Sequence, residues 1–423
     1  MNTDFSTLDW GRSANIYEVN VRQYTPEGTF NAFATHLPRL KDMGVQVLWF
    51  MPIYPIGNIN RIGSLGSYYS ISDYKAINQE FGNLDDFRRL VAKAKEMGFK
   101  VIIDWVANHT AWDHVWTRDH RDFYELDASG NFKSPYDWRD VIQINHQSTA
   151  QQDAMIDAMK FWLAACDIDG FRCDMAHLIP LSFWHRARKE LDAIKPLFWL
   201  AETEDIAYHD VFDASYTWEF LHKMEQFTRG ETNISGLDAV LLKYNNEFPS
   251  GSLRAFFTSN HDENSHSGSE YERMGDAARA FAVLCATWNG LPLVYSGQEL
   301  PNKKRLRFFD KDQIDWTDHC ILHDFYKTLL ALHSNHAALR AGDKNVTTYR
   351  LTTSDDRVFS FLRKNGEQEM LVILNLSREQ IVFQMADDRI AANFTDIFSG
   401  NTSLVDNTTP FSLDAWGYKV YAR

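Results

Sequence analysis

Short apolar runs alternate with amphipathic segments along most of the chain, from about residue 14 to residue 336. Several runs are almost continuously apolar, which is typical of parallel strands buried on both faces. Seven runs are predicted to be strands: residues 16–21, 45–51, 100–105, 170–173, 198–201, 255–258 and 291–295. The remaining strand and a helix are predicted within residues 216–248. This alternation predicts an α/β fold, an eight-stranded (β/α)8 TIM barrel.

The segments between these runs have the spacing of helices. Asn83 can cap a helix in which apolar residues recur at intervals of three and four positions, and Gly98 ends it. Ser148 or Thr149 can cap the next helix. Further helices are predicted over residues 181–194, 273–288 and 322–334. These helices would form the outer layer of the barrel.

Two parts of the chain depart from this alternation. About 35 residues between His109 and Asn145 lack clear periodicity, and connections of that length are usually functional or small subdomains. From about residue 340 the pattern changes to short alternating strands, predicted over 358–362, 370–375, 381–383 and 417–421. We therefore predict a barrel formed by residues 1–109 and 146–337, an inserted subdomain at 110–145, and a C-terminal antiparallel β-sandwich at 338–423.

Composition and charge narrow the classes of function. Lys and Arg number 43 against 57 Asp and Glu, and this net charge of −14 argues against binding nucleic acid or anionic membranes. No stretch approaches the roughly 20 apolar residues that cross a bilayer. The four cysteines have no CxxC spacing and no pattern of a disulfide framework. Residues 1–6 lack a basic region followed by an apolar run, so a cytoplasmic location is the default expectation.

Acidic residues stand at the ends of four predicted strands: Asp104, Asp174, Glu202 and Asp262. Barrel enzymes place catalytic groups at the carboxyl ends of their strands, so these acids should meet at one rim. Breaking a glycosidic bond with retention requires a carboxylate that attacks the anomeric carbon and an acid that protonates the leaving oxygen. Arg172, two positions before Asp174, would point to the same face and keep Asp174 ionised. Glu202 would have to hold the proton.

The order and spacing of these segments resemble the α-amylase family of glycoside hydrolases (family 13). The matching segments are residues 104–109 for the first family motif, 170–174 for the second, Glu202 for the third, 260–262 for the fourth, and 69–74 and 290–299 as further matches. The resemblance extends over the whole chain, including the inserted subdomain and the C-terminal β-sandwich. Four motifs in the family's order are far more specific than any one of them alone.

The resemblance implies a role for each acid. Asp174 resembles the nucleophile and Glu202 the general acid/base. Asp262 resembles the acid that holds sugar hydroxyls and stabilises the transition state. Asp104 is expected to support Arg172 rather than to touch the substrate.

Four further residues are implied to bind the substrate: Tyr69, His109, Arg172 and His261. Tyr69 resembles the aromatic residue on which the reacting glucose stacks, and the other three resemble residues lining its subsite. For His109 the alternative is a core histidine held by hydrogen bonds. The tryptophans of the inserted segment, Trp112, Trp116 and Trp138, are either sugar platforms or its small core.

Two positions depart from the family pattern. Many members hold a structural calcium between barrel and subdomain, with an Asp ligand in a motif that matches residues 142–145 here. Gln143 stands at the Asp position, and with Asn108 it makes a poor Ca²⁺ site without carboxylates. We predict no metal and no required cofactor, structural calcium being possible but not favoured. Residues 175–178 (MAHL) lack the Lys-His pair of many endo-acting members, so endo or exo action stays open.

The leading hypothesis is retaining hydrolysis of α-1,4-glucosidic bonds in starch-like glucans or maltooligosaccharides, through a covalent glycosyl-enzyme intermediate. The alternative is 4-α-glucanotransferase or α-glucosidase activity with the same residues, since water or a sugar hydroxyl can intercept that intermediate. A non-catalytic glucan-binding or transporter-associated protein is a distant third hypothesis, because it would lack an acid or carry a membrane helix. An α-glucan is the only partner expected, and the oligomeric state is not readable from the sequence.

Overall fold

The apolar runs form a closed barrel of eight parallel strands. The computed structural model describes Phe5 and residues 7–423. The barrel strands are β1 (Ile16–Val19), β2 (Val47–Phe50), β3 (Lys100–Trp105), β4 (Gly170–Cys173), β5 (Phe198–Ala201), β6 (Ala214–Tyr216), β7 (Leu253–Phe256) and β8 (Leu291–Tyr295). Each strand pairs with the next, and β8 closes on β1 with Ile16 opposite Leu293. The predicted (β/α)8 TIM-barrel fold is confirmed.

An outer layer of helices covers the barrel. The α-helices are Val21–Tyr24, Phe30–Phe33, Leu37–Asp42, Leu84–Glu96, Thr149–Cys166, Leu181–Asp192, Trp218–Thr228, Ile234–Glu247, Glu270–Met274, Ala278–Thr287 and His323–Asn335. Asn83 caps its helix, and Asp86 completes a capping box. Ser148 rather than Thr149 caps the next long helix, since its side chain accepts from the backbone N–H of Gln151. Local capping chemistry therefore fixed these two helix starts.

Two predicted elements differ from the structure. The eighth strand is β6, which ends at Tyr216 instead of lying within residues 216–248, and that segment holds two helices. β6 is only three residues long, which is too short for a periodic signal. The helix predicted over 273–288 is divided near Gly275, whose φ of +56° is accessible to glycine and ends the helical path. One helix ends at Met274 and the next begins at Ala278.

The connection after β3 carries the inserted segment. Two short antiparallel strands, His109–Ala111 and Val141–Gln143, form its base. The backbone N–H of Ile144 donates to Asn108 O at 3.0 Å, which brings the end of the insert back beside its start. The insert therefore rises from the carboxyl end of β3, on the rim where the acids were predicted.

The C-terminal strands form two antiparallel sheets. The six-stranded sheet has the order Thr347–Leu351, Val358–Asn365, Gln368–Asn375, Tyr418–Ala422, Ala392–Asp396 and Thr402–Val405, and a second sheet pairs Ile381–Gln384 with Pro410–Leu413. Phe359 and Phe361 point from one face of the large sheet into the barrel core, while Leu371 and Ile373 point from the other face into a separate small core. The division of the chain into three domains at the stated boundaries stays a prediction.

The pattern missed four of these strands because they are polar or exposed along much of their length, as in Thr402–Val405. None of the helices described here is long and apolar enough to cross a membrane. The residues 1–6 on which the expectation about a leader rests lie, apart from Phe5, outside the described part of the chain.

Candidate active site

Arg172 occupies the centre of the predicted acidic rim. Its side chain is fully buried, and Nη1 lies 3.1 Å from both Asp104 Oδ1 and Asp174 Oδ1. Nη2 lies 2.8 Å from Glu202 Oε2. Nε donates to the hydroxyl of Tyr216 at 3.2 Å. One guanidinium therefore brings together three of the four acids that follow barrel strands.

The backbone delivers Asp174 and Glu202 to this guanidinium from neighbouring strands. Asp174 follows β4 directly, and its N–H donates to Trp105 O at 2.9 Å. Glu202 follows β5, and its N–H donates to Cys173 O at 3.0 Å. Met175 has a φ of +42°, which aims its N–H at Glu202 Oε2 at 2.9 Å. Left-handed backbone at a non-glycine residue is strained, and such strain is concentrated at functional sites.

Asp104 lies behind Arg172, away from the cleft. Besides the guanidinium, it accepts from Trp49 Nε1 at 3.2 Å and from the Tyr69 hydroxyl at 3.1 Å. It is completely buried. Its surroundings therefore make it a support for Arg172 and Tyr69 that has no exposed surface for a ligand.

Asp262 and His261 approach the same point from the segment after β7. His261 Nε2 lies 3.2 Å from Asp262 Oδ2 and 2.8 Å from the Tyr69 hydroxyl. Its Nδ1 pairs with Glu18 Oε1, in the middle of β1. The side chain of Asp262 is 39% exposed, whereas that of His261 is buried. Asp262 therefore faces the cleft and His261 stands behind it.

The pKa of Asp262 is set mainly by its contact with His261, which also pairs with Glu18. Partial loss of water at the floor of the cleft would raise the pKa of Asp262, but the adjoining His261 lowers it to about 2. Burial also opposes charge on His261, yet Asp262 and Glu18 on its two sides raise its pKa well above the ordinary value. Both shifts favour the imidazolium form of His261 and the carboxylate form of Asp262 at neutral pH.

The pKa of Asp174 is shifted in the opposite direction from that of Asp262. Burial raises its pKa well above the ordinary value, the adjacent Glu202 carboxylate raises it further, and Arg172 acts in the opposite direction. In the free site the loss of water and the second acid outweigh the guanidinium. The expectation that Arg172 keeps Asp174 ionised stays a prediction, because the guanidinium favours the carboxylate while burial and Glu202 oppose it.

A cleft of about 970 Å³ opens over these groups. Its lining includes Asp174, Glu202 and Asp262 together with Tyr69 and His109. Arg172 and His261 were expected in the subsite lining, but they stand behind the acids. Burial lowers the pKa of His109 to about 3, so this histidine is neutral when it faces a ligand.

The three tryptophans of the insert were expected to be either sugar platforms or parts of its small core, and both positions occur. Trp112 and Trp138 line the cleft, and the Trp138 ring centre lies 5.4 Å from that of His109. Trp116 packs 5.1 Å from the ring of Tyr74 and 5.5 Å from that of Phe123, inside the small core. Two of the three are thus available to a ligand.

Three contributors were missed by the sequence reasoning: Glu18, Phe308 and Phe309. Phe308 and Phe309 line the cleft from the segment after β8, which has no periodic pattern. Glu18 did leave a signal, since it is the only charged residue in an otherwise buried strand. A charge in such a strand requires a partner, and here the partner is His261.

Gln143 and Asn108 stand at the positions that match the family's calcium ligands, and the Gln143 amide donates to two oxygen atoms of Asn108. Gln143 Nε2 donates to Asn108 Oδ1 at 2.9 Å and to Asn108 O at 3.1 Å. No group of three or more His, Cys, Asp or Glu residues in the described part of the chain is arranged to hold a metal ion. The donor set around Asn108 therefore does not fit a calcium ion.

Comparison with known proteins identifies the family. The sequence model for the α-amylase catalytic domain matches residues 9–143 and 127–329. The chain belongs to this α-amylase family, glycoside hydrolase family 13, and is an α-amylase-type enzyme.

Individual relatives show the range of this similarity. The chain is 27% identical to α-amylase MalA of Haloarcula japonica, over 96% of this chain and 62% of that protein's length. Among solved structures, a maltogenic α-amylase, AmyB of Thermotoga neapolitana, superposes with a TM-score of 0.88 at 27% identity, over 97% of this chain and 99% of that one. An α-amylase of Lactobacillus plantarum gives a TM-score of 0.89 at 26% identity, over 98% and 100%.

Similarity also extends to enzymes with other names. The chain is 21% identical to a probable oligo-1,6-glucosidase of Bacillus subtilis, over 89% of this chain and 92% of that protein. It is 25% identical to an α-1,4-glucan:maltose-1-phosphate maltosyltransferase of Picrophilus torridus, over 88% and 63%. Hydrolases and a transferase therefore share this fold and sequence pattern.

Proposed function

We propose that the protein hydrolyses α-1,4-glucosidic bonds in starch-like glucans or maltooligosaccharides with retention of anomeric configuration. Asp174 is the nucleophile, Glu202 the general acid/base and Asp262 the transition-state stabiliser. The observation that carries this proposal is the single guanidinium of Arg172, which contacts both Asp174 and Glu202 at the floor of the cleft. A nucleophile and an acid held close together suit the double-displacement mechanism.

In the first step Asp174 attacks the anomeric carbon, and the bond to the leaving oxygen breaks. Glu202 gives its proton to that oxygen. Positive charge develops on the sugar ring, and Asp262, kept ionised by His261, stabilises it electrostatically. The product of the step is a glycosyl ester on Asp174 and a free sugar hydroxyl.

In the second step Glu202 acts as a base. It removes a proton from water, and the resulting oxygen attacks the anomeric carbon as the ester bond to Asp174 breaks. The proton returns to Glu202 and the carboxylate to Asp174, so the cycle closes without any other reagent.

The shape and lining of the cleft support a glucan as substrate. Tyr69 presents a ring at the acids, and Trp112 and Trp138 add aromatic surface on the side of the insert. Flat aromatic faces suit the C–H faces of sugar rings. The names of the related enzymes, which include α-amylases and a glucan maltosyltransferase, point to the same class of substrate.

Two amide substitutions test the assignment. Asp174→Asn and Glu202→Gln should each lower kcat on maltoheptaose by at least about 10²–10⁴-fold, because each removes a chemical role while keeping the shape of the side chain. Asp356→Asn and Glu367→Gln change the same residue types at exposed positions and should leave kcat unchanged. Full activity of either cleft variant would refute the proposal.

Transfer to a sugar acceptor is the second candidate, favoured by the similarity to the maltosyltransferase. Products from maltoheptaose separate the two activities. Hydrolysis yields only shorter oligosaccharides, whereas transfer also yields chains longer than the substrate. A predominance of longer chains at early times would replace hydrolase with transferase, with the same three acids.

We also propose that the protein requires no structural calcium and no cofactor. The Gln143 amide supplies hydrogen-bond donors where a calcium ion would need oxygen ligands, and it holds Asn108 to the base of the insert. The link between barrel and insert is then made by hydrogen bonds of the protein itself.

A further inference from the structure

The segments after β2 and β8 are fastened to each other across one end of the cleft. The N–H of Leu65 donates to Phe309 O at 3.0 Å. Both the N–H and the hydroxyl of Ser64 donate to Asp310 Oδ1, at 2.8 and 2.6 Å. At Gly63 a Cβ atom would lie 2.5 Å from Phe309 Cβ, so the two segments are in close contact. No gap for a polysaccharide chain separates them at this point.

A buried arginine reinforces this junction from below. Arg22 Nη1 donates to Gly66 O at 3.0 Å and to Phe308 O at 3.3 Å, so one guanidinium holds a carbonyl of each segment. It also pairs with Glu80 at 2.7 Å, and its side chain is fully buried. A charge so placed fixes both segments, because breaking either contact would leave a buried donor unpaired.

Aromatic rings form the inner face of this barrier. Phe308 stacks on Tyr69 with ring centres 6.3 Å apart and an angle of 9° between planes. Phe309 and His266 each pack 5.0 Å from Phe308, and their own ring centres are 6.4 Å apart. All four residues line the cleft. We refer to residues 60–66 and 308–310 together as the end wall.

The strand order shows which end of the substrate meets the end wall. The wall rises from β2 and β8, which flank β1, and β5 lies opposite β1 in the barrel. Glu202 follows β5 and, in the proposed mechanism, protonates the leaving oxygen. The leaving part of the substrate therefore lies on the β5 side. The sugar that is bonded to Asp174 extends towards the wall with its non-reducing end.

At the opposite end of the cleft, the described residues form no comparable closure. Within the described chain, no hydrogen bond joins the insert at 110–143 to residues 203–212 after β5. His177, on the same side, is exposed to solvent. A long leaving chain can pass out between these segments.

We infer that the enzyme acts in an exo manner, removing short units from the non-reducing end of an α-glucan whose terminus abuts the end wall. The inference rests on the proposed function and adds to it the direction of attack. Internal bonds of a long chain are not cleaved, because the glycone side of the cleft holds only the units between Asp174 and Phe309.

The test uses maltoheptaose labelled with a fluorophore at its reducing end, either free or blocked by a 4,6-O-ethylidene group at its non-reducing end. The free substrate should lose units of one fixed length, read as shortened labelled products at early times. The blocked substrate should be cleaved at least about 100-fold more slowly, because its end cannot fit against the wall. Equal rates with mid-chain products would overturn exo action while leaving the hydrolase intact. Cleavage of neither substrate would refute the proposed function and the inference with it.

Opening the wall provides a second readout. The double variant Phe309→Ala/Asp310→Ala removes the Phe309 ring that lines the cleft and the carboxylate that accepts from Ser64, and it should raise the rate on the blocked substrate at least about tenfold relative to the free one. Phe398→Ala, at a half-exposed phenylalanine in the turn between strands Ala392–Asp396 and Thr402–Val405, is the control and should leave that ratio unchanged. A double variant with native thermal stability and an unchanged ratio would contradict the placement of the barrier.

Discussion

Glu18 pairs through one carboxylate oxygen with Nδ1 of His261, so a charge buried in strand β1 controls the state of a histidine that follows β7. The other nitrogen of His261 lies beside Asp262 and the Tyr69 hydroxyl. The imidazolium form of His261 can donate Nε2–H to the Tyr69 hydroxyl, which in turn donates to Asp104. A continuous chain of polar contacts therefore runs from Glu18 through His261 and Tyr69 to Asp104, which in turn contacts Arg172.

Replacing Glu18 with Gln should change the pH dependence of catalysis. The carboxylate stabilises the imidazolium, so its loss lowers the pKa of His261, and a neutral His261 no longer lowers the pKa of Asp262. The alkaline limb of kcat/KM should move to lower pH, and kcat at neutral pH should fall about 10–100-fold. A pH–rate profile on a maltooligosaccharide measures both effects.

Two comparisons separate this role from a loss of packing. Glu367→Gln, at an exposed position, should leave the profile unchanged. A purely structural role for Glu18 would lower thermal stability and the amount of active enzyme without displacing the alkaline limb, and that outcome would contradict the electrostatic link to His261.

The raised pKa of Asp174 predicts that the acid limb of the pH–rate profile lies at higher pH than for an ordinary aspartate. Asp174 must be ionised to attack, and burial together with Glu202 raises its pKa, so activity should already decline with a midpoint above the ordinary aspartate value of about 3.9. Arg172→Lys keeps one charge but loses the bridging geometry, so the pKa of Asp174 should rise further. The limb should move to higher pH and kcat/KM at the optimum should fall by about 10²-fold. An acid limb at the ordinary value in the wild type would contradict this account.

The barrel could be predicted because its signals are local. Buried parallel strands read as apolar runs, and caps such as Asn83 mark where helices begin. The acids could be predicted because barrel topology brings strand ends to one rim, whichever residues occupy the loops. β6 escaped because three residues give no periodicity, and its end at Tyr216 is visible only in the pairing with β7.

The electrostatic state of the site could not be predicted in the same way. Spacing placed Arg172 on the same face as Asp174, but the pKa of Asp174 depends on how much water is lost and on the approach of Glu202 from another strand. The end wall could not be predicted either, because its contacts join residues that are distant in sequence. Ser64 and Asp310 are far apart in sequence, and neither belongs to a periodic element.

Calcium independence can be tested by chelation and by substitution. The melting temperature should be the same with and without EDTA, because the Gln143 amide already satisfies the Asn108 oxygens. Gln143→Asp removes those donors and should lower the free energy of unfolding by about 1–3 kcal/mol in EDTA, with partial recovery in excess Ca²⁺. Gln147→Asp, at an exposed position just after the insert, is the matched control for the change in charge. A marked fall in the wild-type melting temperature with EDTA would contradict the proposal.

The contact between the C-terminal sheet and the barrel predicts that the two unfold together. Phe361 is completely buried, and its ring centre lies 4.8 Å from that of Trp288 at the end of a barrel helix. Phe361→Ala should therefore lower the free energy of unfolding by about 3–5 kcal/mol. Val382→Ala, at a side chain that is 72% exposed on the smaller sheet, should change it by less than about 0.5 kcal/mol.

The measurement is urea unfolding followed by tryptophan fluorescence and by activity. Both probes should shift together in Phe361→Ala, because the face of the sheet that carries Phe361 is part of the barrel core. In Phe361→Ala, a fluorescence transition that moves to lower urea while the activity transition stays unchanged would show that the sheet folds independently.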